Sequence, residues 1–264
     1  MLIFLYWYGT PLPTKTHILN EILHGAPQQT EDESVATPFP VKFGEFEYTF
    51  TPHASYELSG LVVSLHHSDS WIDISHEGDP AQTVDICVVW GPNIATGGYK
   101  MVTYAHGDWT CYYRWETEAD PPFSGSFLSN NHLLPTTPAL ASLVKSIKVG
   151  DQIRLSGLLV DYTITASSGA RGGSRNTSLI RTDNGNGACE IIYLTGATIL
   201  KRNMPWRDPL RYLLFMVMIF GALGSFYFSL PEIIKVHDEV AHSKNPYDVK
   251  NYLKHPDLKK PTEG

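Results

Sequence analysis

The chain lacks the short signatures that usually point to a reaction. It contains no GxSxG, Walker loop, GxGxxG, HExxH or CxxCH. Acyl transfer, nucleotide use, dinucleotide binding, zincin chemistry and c-type haem therefore each lose their usual signal, and no cofactor is indicated. Cysteine is scarce: Cys87, Cys111 and Cys189 are the only three in 264 residues, and none sits in a CxxC pair. That excludes a disulfide-rich scaffold and argues against a thiolate zinc site, leaving one disulfide plus a free thiol or three buried thiols. Charge is sparse as well, at 18% of residues, and Gly, Pro and aromatics are frequent. Such a profile suits a turn-rich β domain better than a helical bundle. Positive charge is missing where nucleic acid would need it. Residues 1–200 hold 10 Lys+Arg against 20 Asp+Glu, and residues 201–264 hold 10 against 7. An acidic body argues against nucleic acid as a partner. The basic residues instead flank an apolar segment, where anionic lipid headgroups favour them.

That segment, Tyr212 to Leu230, reads YLLFMVMIFGALGSFYFSL, nineteen residues without a charge. A helix of about 20 apolar residues crosses the hydrocarbon core. Trp206, Tyr212 and Tyr227 stand where interfacial aromatics belong, with Arg207 and Arg211 before the segment and Pro231 and Glu232 after it. A soluble core helix rarely stays apolar on every face over this length. One transmembrane pass is therefore predicted. Gly221, Gly224 and Ser225 give it a small-xxx-small face against which another membrane helix can pack. The N-terminal MLIFLYWYG is too short to span and is expected to dip into the membrane surface or pack on a neighbour. Lys201, Arg202, Arg207 and Arg211 precede the helix, and only Lys235 and Lys244 follow closely. The positive-inside rule taken alone puts the large domain in the cytoplasm, a preference that the further lysines of the tail offset.

Four regions follow: an apolar N-terminal segment and linker (1–42), a β-rich globular domain (43–203), the transmembrane helix with its flanks (204–232), and a polar tail on the opposite side of the membrane (233–264). Within residues 10–40 a short amphipathic helix is expected around Lys15–Leu23, the remainder being extended linker. Strands are predicted at Tyr56–Leu65, Val84–Trp90, Thr110–Trp115, Gln152–Thr165, Thr177–Arg181 and Cys189–Leu200. A helix is predicted near Thr137–Ile147, with Thr137 or Thr136 as its cap before Pro138. Mid-strand Gly60 and Gly157 are the kind of residue that lets strands of small closed barrels coil sharply. The expected fold is mainly β, as an OB-like or SH3-like small barrel or a sandwich, plus the C-terminal helix.

Five motifs, YELSGLVVS (56–64), VDICVVWGPN (84–93), SNNHLLP (129–135), VGDQIRLSGLLVDY (149–162) and SLIRTDNGNGACEIIYL (178–194), resemble a family of uncharacterised bacterial membrane-anchored proteins. The resemblance covers rather more than half of the chain and implies no activity. It implies a bacterial inner-membrane protein with a periplasmic domain behind an apolar N-terminal segment; the C-terminal spanning helix departs from that pattern.

Several residue groups bear on chemistry. His66, His67 and His76 with Asp69 and Asp73 have the donors for a divalent metal. Neighbours on a strand point to opposite faces, so His66 and His67 cannot easily share an ion, and the stretch reads as a solvated loop. Asn130, Asn131 and His132 can stabilise an oxyanion or carry protons, or hold an irregular loop together. Arg181 and Asp183 are expected to pair across a turn built by Asn184, Gly185, Asn186 and Gly187. Nothing in the sequence brings Cys189 beside His132, which a nucleophile reading needs. The preferred function is a non-catalytic accessory subunit of a membrane complex, respiratory or photosynthetic for example, held to other subunits through its helix and tail. The alternatives are an extracytoplasmic glycan, peptide or metal binder using Trp71, Trp90, Trp109 and Trp115, and a membrane-tethered hydrolase. The last would use His132, Asp183 or Cys189 and gains ground if those side chains converge in one cleft.

Overall fold

The computed structural model describes residues 11–31, 37–68, 73–116, 118, 120–166, 171–183, 185, 187–204 and 207–244. The apolar N-terminus, Asp69, Trp71, Asn184, Asn186, Trp206 and the tail beyond Lys244 lie outside these residues. The chain divides into a globular unit, Tyr8–Met204, and a second unit that holds the C-terminal helix.

The globular unit is mainly β. Its strands are β1 (Gln28–Glu31), β2 (Phe39–Phe43), β3 (Phe46–His67), β4 (Val84–Val89), β5 (Thr103–His106), β6 (Cys111–Arg114), β7 (Leu128–Pro135), β8 (Gln152–Ala166), β9 (Arg171–Arg175) and β10 (Glu190–Lys201). The helices α1 (Asn20–His24), α2 (Pro92–Thr96) and α3 (Pro138–Lys145) lie between them. Eight strands form one sheet, and β5 and β6 form a separate hairpin. The long β3 pairs with β8 over Phe46–Leu61 and with β4 over Leu61–His67. Strand β4 then pairs β7, β7 pairs β10 in parallel, and β10 pairs β8. The path β3–β4–β7–β10–β8 thus returns to its start. Strands β1, β2 and β9 lie outside that path, and the sheet as a whole is not closed.

Alternation along the strands explains where the core sits. Val84, Ile86 and Val88 of β4 meet Leu133 of β7, Leu155 and Leu159 of β8 and Ile192 of β10 in one apolar cluster inside the strand ring. The opposite face of the same strands carries Cys87, Val89 and Leu128, which pack with Ile18, Ile22, Ile94 and Phe123 in a second cluster. Strands β4 and β7 are consequently buried along their whole length. Gly60 and Gly157 mark close approaches. A Cβ on Gly157 would stand 2.3 Å from the Tyr193 carbonyl oxygen, and one on Gly60 2.8 Å from that of Val89.

Most predicted elements are present, with three differences. Residues 11–43 are not a plain linker: a 3₁₀ turn at Lys15–His17, α1, β1 and β2 fall within them, and Ile18 and Ile22 are buried. Thr177–Arg181 forms no strand, because Thr177 and Ser178 spend their backbone N–H groups on Asp161 and Cys189. SNNHLLP, read as an irregular loop, is strand β7. Thr137 caps α3 by accepting a hydrogen bond from the Leu140 N–H at 3.2 Å, as expected.

The second unit contains α4, Arg207–Lys244. Its segment Tyr212–Pro231, 20 residues, is long and apolar enough to cross a membrane. Ser229 returns its hydroxyl to the Ser225 carbonyl at 2.8 Å, so this polar group is satisfied within the helix. Helix α4 continues for more than three turns beyond Pro231.

Candidate active site

The site lies on the outer face of the ring and is assembled by cross-strand register. His66 of β3 is opposite Asp85 of β4, Asp85 is opposite His132 of β7, and His132 is opposite Ile191 of β10. A β-bulge between Val62 and Ser64 makes this row possible. Before it, Leu58 and Val62 face the inner cluster; after it, Leu65 does so. The extra residue therefore turns His66, and not His67, to the outer side.

Asp85 is fully buried. Its Oδ1 accepts the Nδ1–H of His132 at 2.8 Å and the side-chain amide of Gln82 at 2.7 Å. Cys189 also acts electrostatically on the His132 ring, and both line one cavity. Burial by itself would hold His132 neutral, but Asp85 and Cys189 outweigh it and push the imidazole up to about 10. Cys189 is half-buried and is the free cysteine, since Cys87 and Cys111 are joined in a disulfide. That disulfide ties the β5–β6 hairpin to β4. Asn130 completes the group: its Oδ1 accepts from His106 Nε2 at 2.9 Å, which aims its amide at the Trp109 carbonyl and at Cys189 Sγ, 3.5 Å away.

These residues open onto a cavity of about 630 Å³ whose walls include Trp109, Asn130, His132, Arg175, Asp183 and Cys189. His132, Asp183 and Cys189, whose convergence favours a hydrolase, all line it. Asp183 sits at the rim, its Oδ2 accepting the Ser178 hydroxyl at 2.6 Å. It does not pair with Arg181 as expected. Arg181 instead forms an ion pair with the buried Glu190 and lies over the Tyr56 ring, because β10 brings a carboxylate closer than the turn does. Burial pushes Glu190 up to about 8 against the pull of that guanidinium. Asn131 points to the inner face, where its amide binds Ile86 O and Ser129 Oγ; its role is structural.

In the His66 stretch, expected to be a solvated loop, His66 and His67 end β3 and His76 is buried, whereas Ile74, Ser75 and Glu77 are exposed and Asp69 lies outside the described residues. Asp73 Oδ2 receives His66 Nε2 at 2.6 Å and His76 Nδ1 at 2.7 Å, and the Asp73 side chain is 2% exposed. Gln82 bridges the two groups, donating to His76 Nε2 at 3.1 Å as well as to Asp85. The tryptophans form no exposed row among the described residues: Trp90 is core, Trp115 packs on Tyr113 and Phe123, and Trp109 covers His76. Gly221 and Gly224 stand open on α4, with no atom near the position a Cβ would take.

Sequence reasoning missed Asp85 and Gln82. Asp85 did leave a signal: a carboxylate inside the apolar run VDICVVW must be paired if the run is a buried strand. Gln82 left none. No protein-family model, curated protein or solved structure matches the chain.

Proposed function

We propose that the globular domain is a cysteine-nucleophile hydrolase held at a membrane by α4. The observation that carries this reading is the Asp85–His132–Cys189 series opening on one cavity. With His132 carrying the proton, Sγ attacks an acyl carbon, and Asp85 fixes the ring and stabilises its charge. A carbon–sulfur bond forms, the oxyanion meets the Asn130 amide, and the leaving group departs with the proton carried by His132. Water then hydrolyses the thioester and restores the thiol. The substrate class is a small ester, thioester or amide.

The test uses the full chain in mild detergent with p-nitrophenyl acetate as probe. A burst of one nitrophenolate per chain followed by turnover is expected, lost in Cys189→Ser and His132→Ala. Equal hydrolysis by Cys189→Ser overturns the reading.

A second reading concerns assembly. Gly221 and Gly224 on an apolar helix favour lateral packing with another membrane subunit, as an accessory component would. The Cys87–Cys111 disulfide supports a periplasmic placement for the domain, since such bonds persist in oxidising compartments. Gly221→Leu with Gly224→Leu should release partners that co-purify from native membranes in mild detergent; migration of the wild-type chain as a lone monomer refutes it.

A further inference from the structure

We propose that His66, Asp73 and His76 form a divalent-metal site of the zinc type, separate from the cysteine and independent of the hydrolase reading. The three offer His66 Nε2, Asp73 Oδ2 and His76 Nδ1, all within 4.8 Å of one another. Two imidazoles and one carboxylate are a donor set that Zn²⁺ takes with a fourth position left open. Zinc–ligand bonds of about 2.0–2.1 Å put the ligand atoms of a tetrahedron roughly 3.3 Å apart. The two Asp73 contacts, at 2.6 and 2.7 Å, need only a small outward turn of the rings to reach that spacing.

The carboxylate is already aimed. Asp73 Oδ1 is occupied by the backbone N–H groups of Ser75 at 2.8 Å and His76 at 3.3 Å, which leaves Oδ2 for the histidines. Trp109 closes the site on one side, its ring centroid 3.6 Å from that of His76. The bulge at Val62–Ser64 matters here too, because it brings His66 to the side of the sheet where Asp73 and His76 stand.

The experiment is titration of the chelator-treated full chain in detergent, with Zn²⁺ followed by calorimetry and Co²⁺ by visible absorption. One ion per chain is expected, with a Co²⁺ spectrum free of thiolate charge-transfer absorption. His66→Ala, whose ring is partly exposed, and the isosteric Asp73→Asn should each weaken binding at least tenfold while near-UV circular dichroism keeps its native form. Cys189→Ser should bind as the wild type does, even though it abolishes acyl transfer. Absence of binding, binding unchanged in both site variants, or a thiolate band would each overturn the proposal.

Discussion

Replacing Asp85 by Asn alters the charge of the site while keeping its shape. Asp85 is buried and holds the His132 ring at 2.8 Å. Burial opposes the imidazolium, yet Asp85 and Cys189 together move the group from 6.5 to about 10. A raised folded value means that the protonated ring stabilises the fold fully below the unfolded value, and that this contribution is lost as pH climbs from about 6.5 to about 10. Each pKa unit is worth about 1.4 kcal/mol, so the whole shift caps the effect at about 5 kcal/mol. A neutral amide in place of the carboxylate cannot attract the proton, and the pH-dependent part should shrink by at least half. The assay is thermal unfolding of the full chain in mild detergent, followed by tryptophan fluorescence from about pH 6 to about pH 10, the window set by His132. Wild type and Asp85→Asn are compared, both retaining Cys189, which shares in raising His132. The Asp85 parent should lose Tm steadily through that window, whereas the Asp85→Asn chain should start lower and stay nearly flat. Parallel curves would refute the assignment of Asp85 as the partner of His132.

Three further outcomes can be checked. Cys87 and Cys111 are 24 residues apart, and closing a loop of that size is worth about 3.4 kcal/mol. The double serine variant should lose about that much stability, and the denatured, unreduced wild type should titrate as one thiol; three thiols would exclude the disulfide. Gly157→Ala forces a Cβ to within 2.3 Å of the Tyr193 carbonyl, a backbone atom that cannot swing aside. A cost of about 1–3 kcal/mol is expected, against little change for Gly173→Ala, where the space is open; equal Tm values for the two would contradict the register of β8 and β10. Thr137→Ala removes the N-cap of α3 and should cost about 1 kcal/mol by the same assay.

How far the fold could be read from sequence depended on the kind of signal. Alternating apolar residues with turn chemistry at each end located β4, β8 and β10 to within a few positions. The uniformly apolar run after Arg211 located the helix. Strand β7 was illegible because Ser129, Asn130 and Asn131 are poor strand formers; they are accommodated because neighbouring strands occupy their backbone and the Asn amides find buried partners. The β1–β2 region was hidden by prolines that usually mark linkers. The candidate site was only partly visible. His132, Asp183 and Cys189 were noticed singly, but their meeting depends on the parallel pairing of β7 with β10, a long-range register that no local pattern encodes. The same holds for His66, whose face was set by a bulge that its own sequence does not announce.

Strand β4 has a consequence for how this domain can change. Its even positions fill the interior, and its odd positions supply the carboxylate at 85 and the sulfur at 87. Exchanging one outward side chain for another disturbs the outer cluster and leaves the packing within intact. A one-residue insertion or deletion is a different matter: it would drive Asp85 and Cys87 into the greasy centre and expel Ile86 and Val88 in their place. A point change in these six residues therefore costs one face, and a length change costs both.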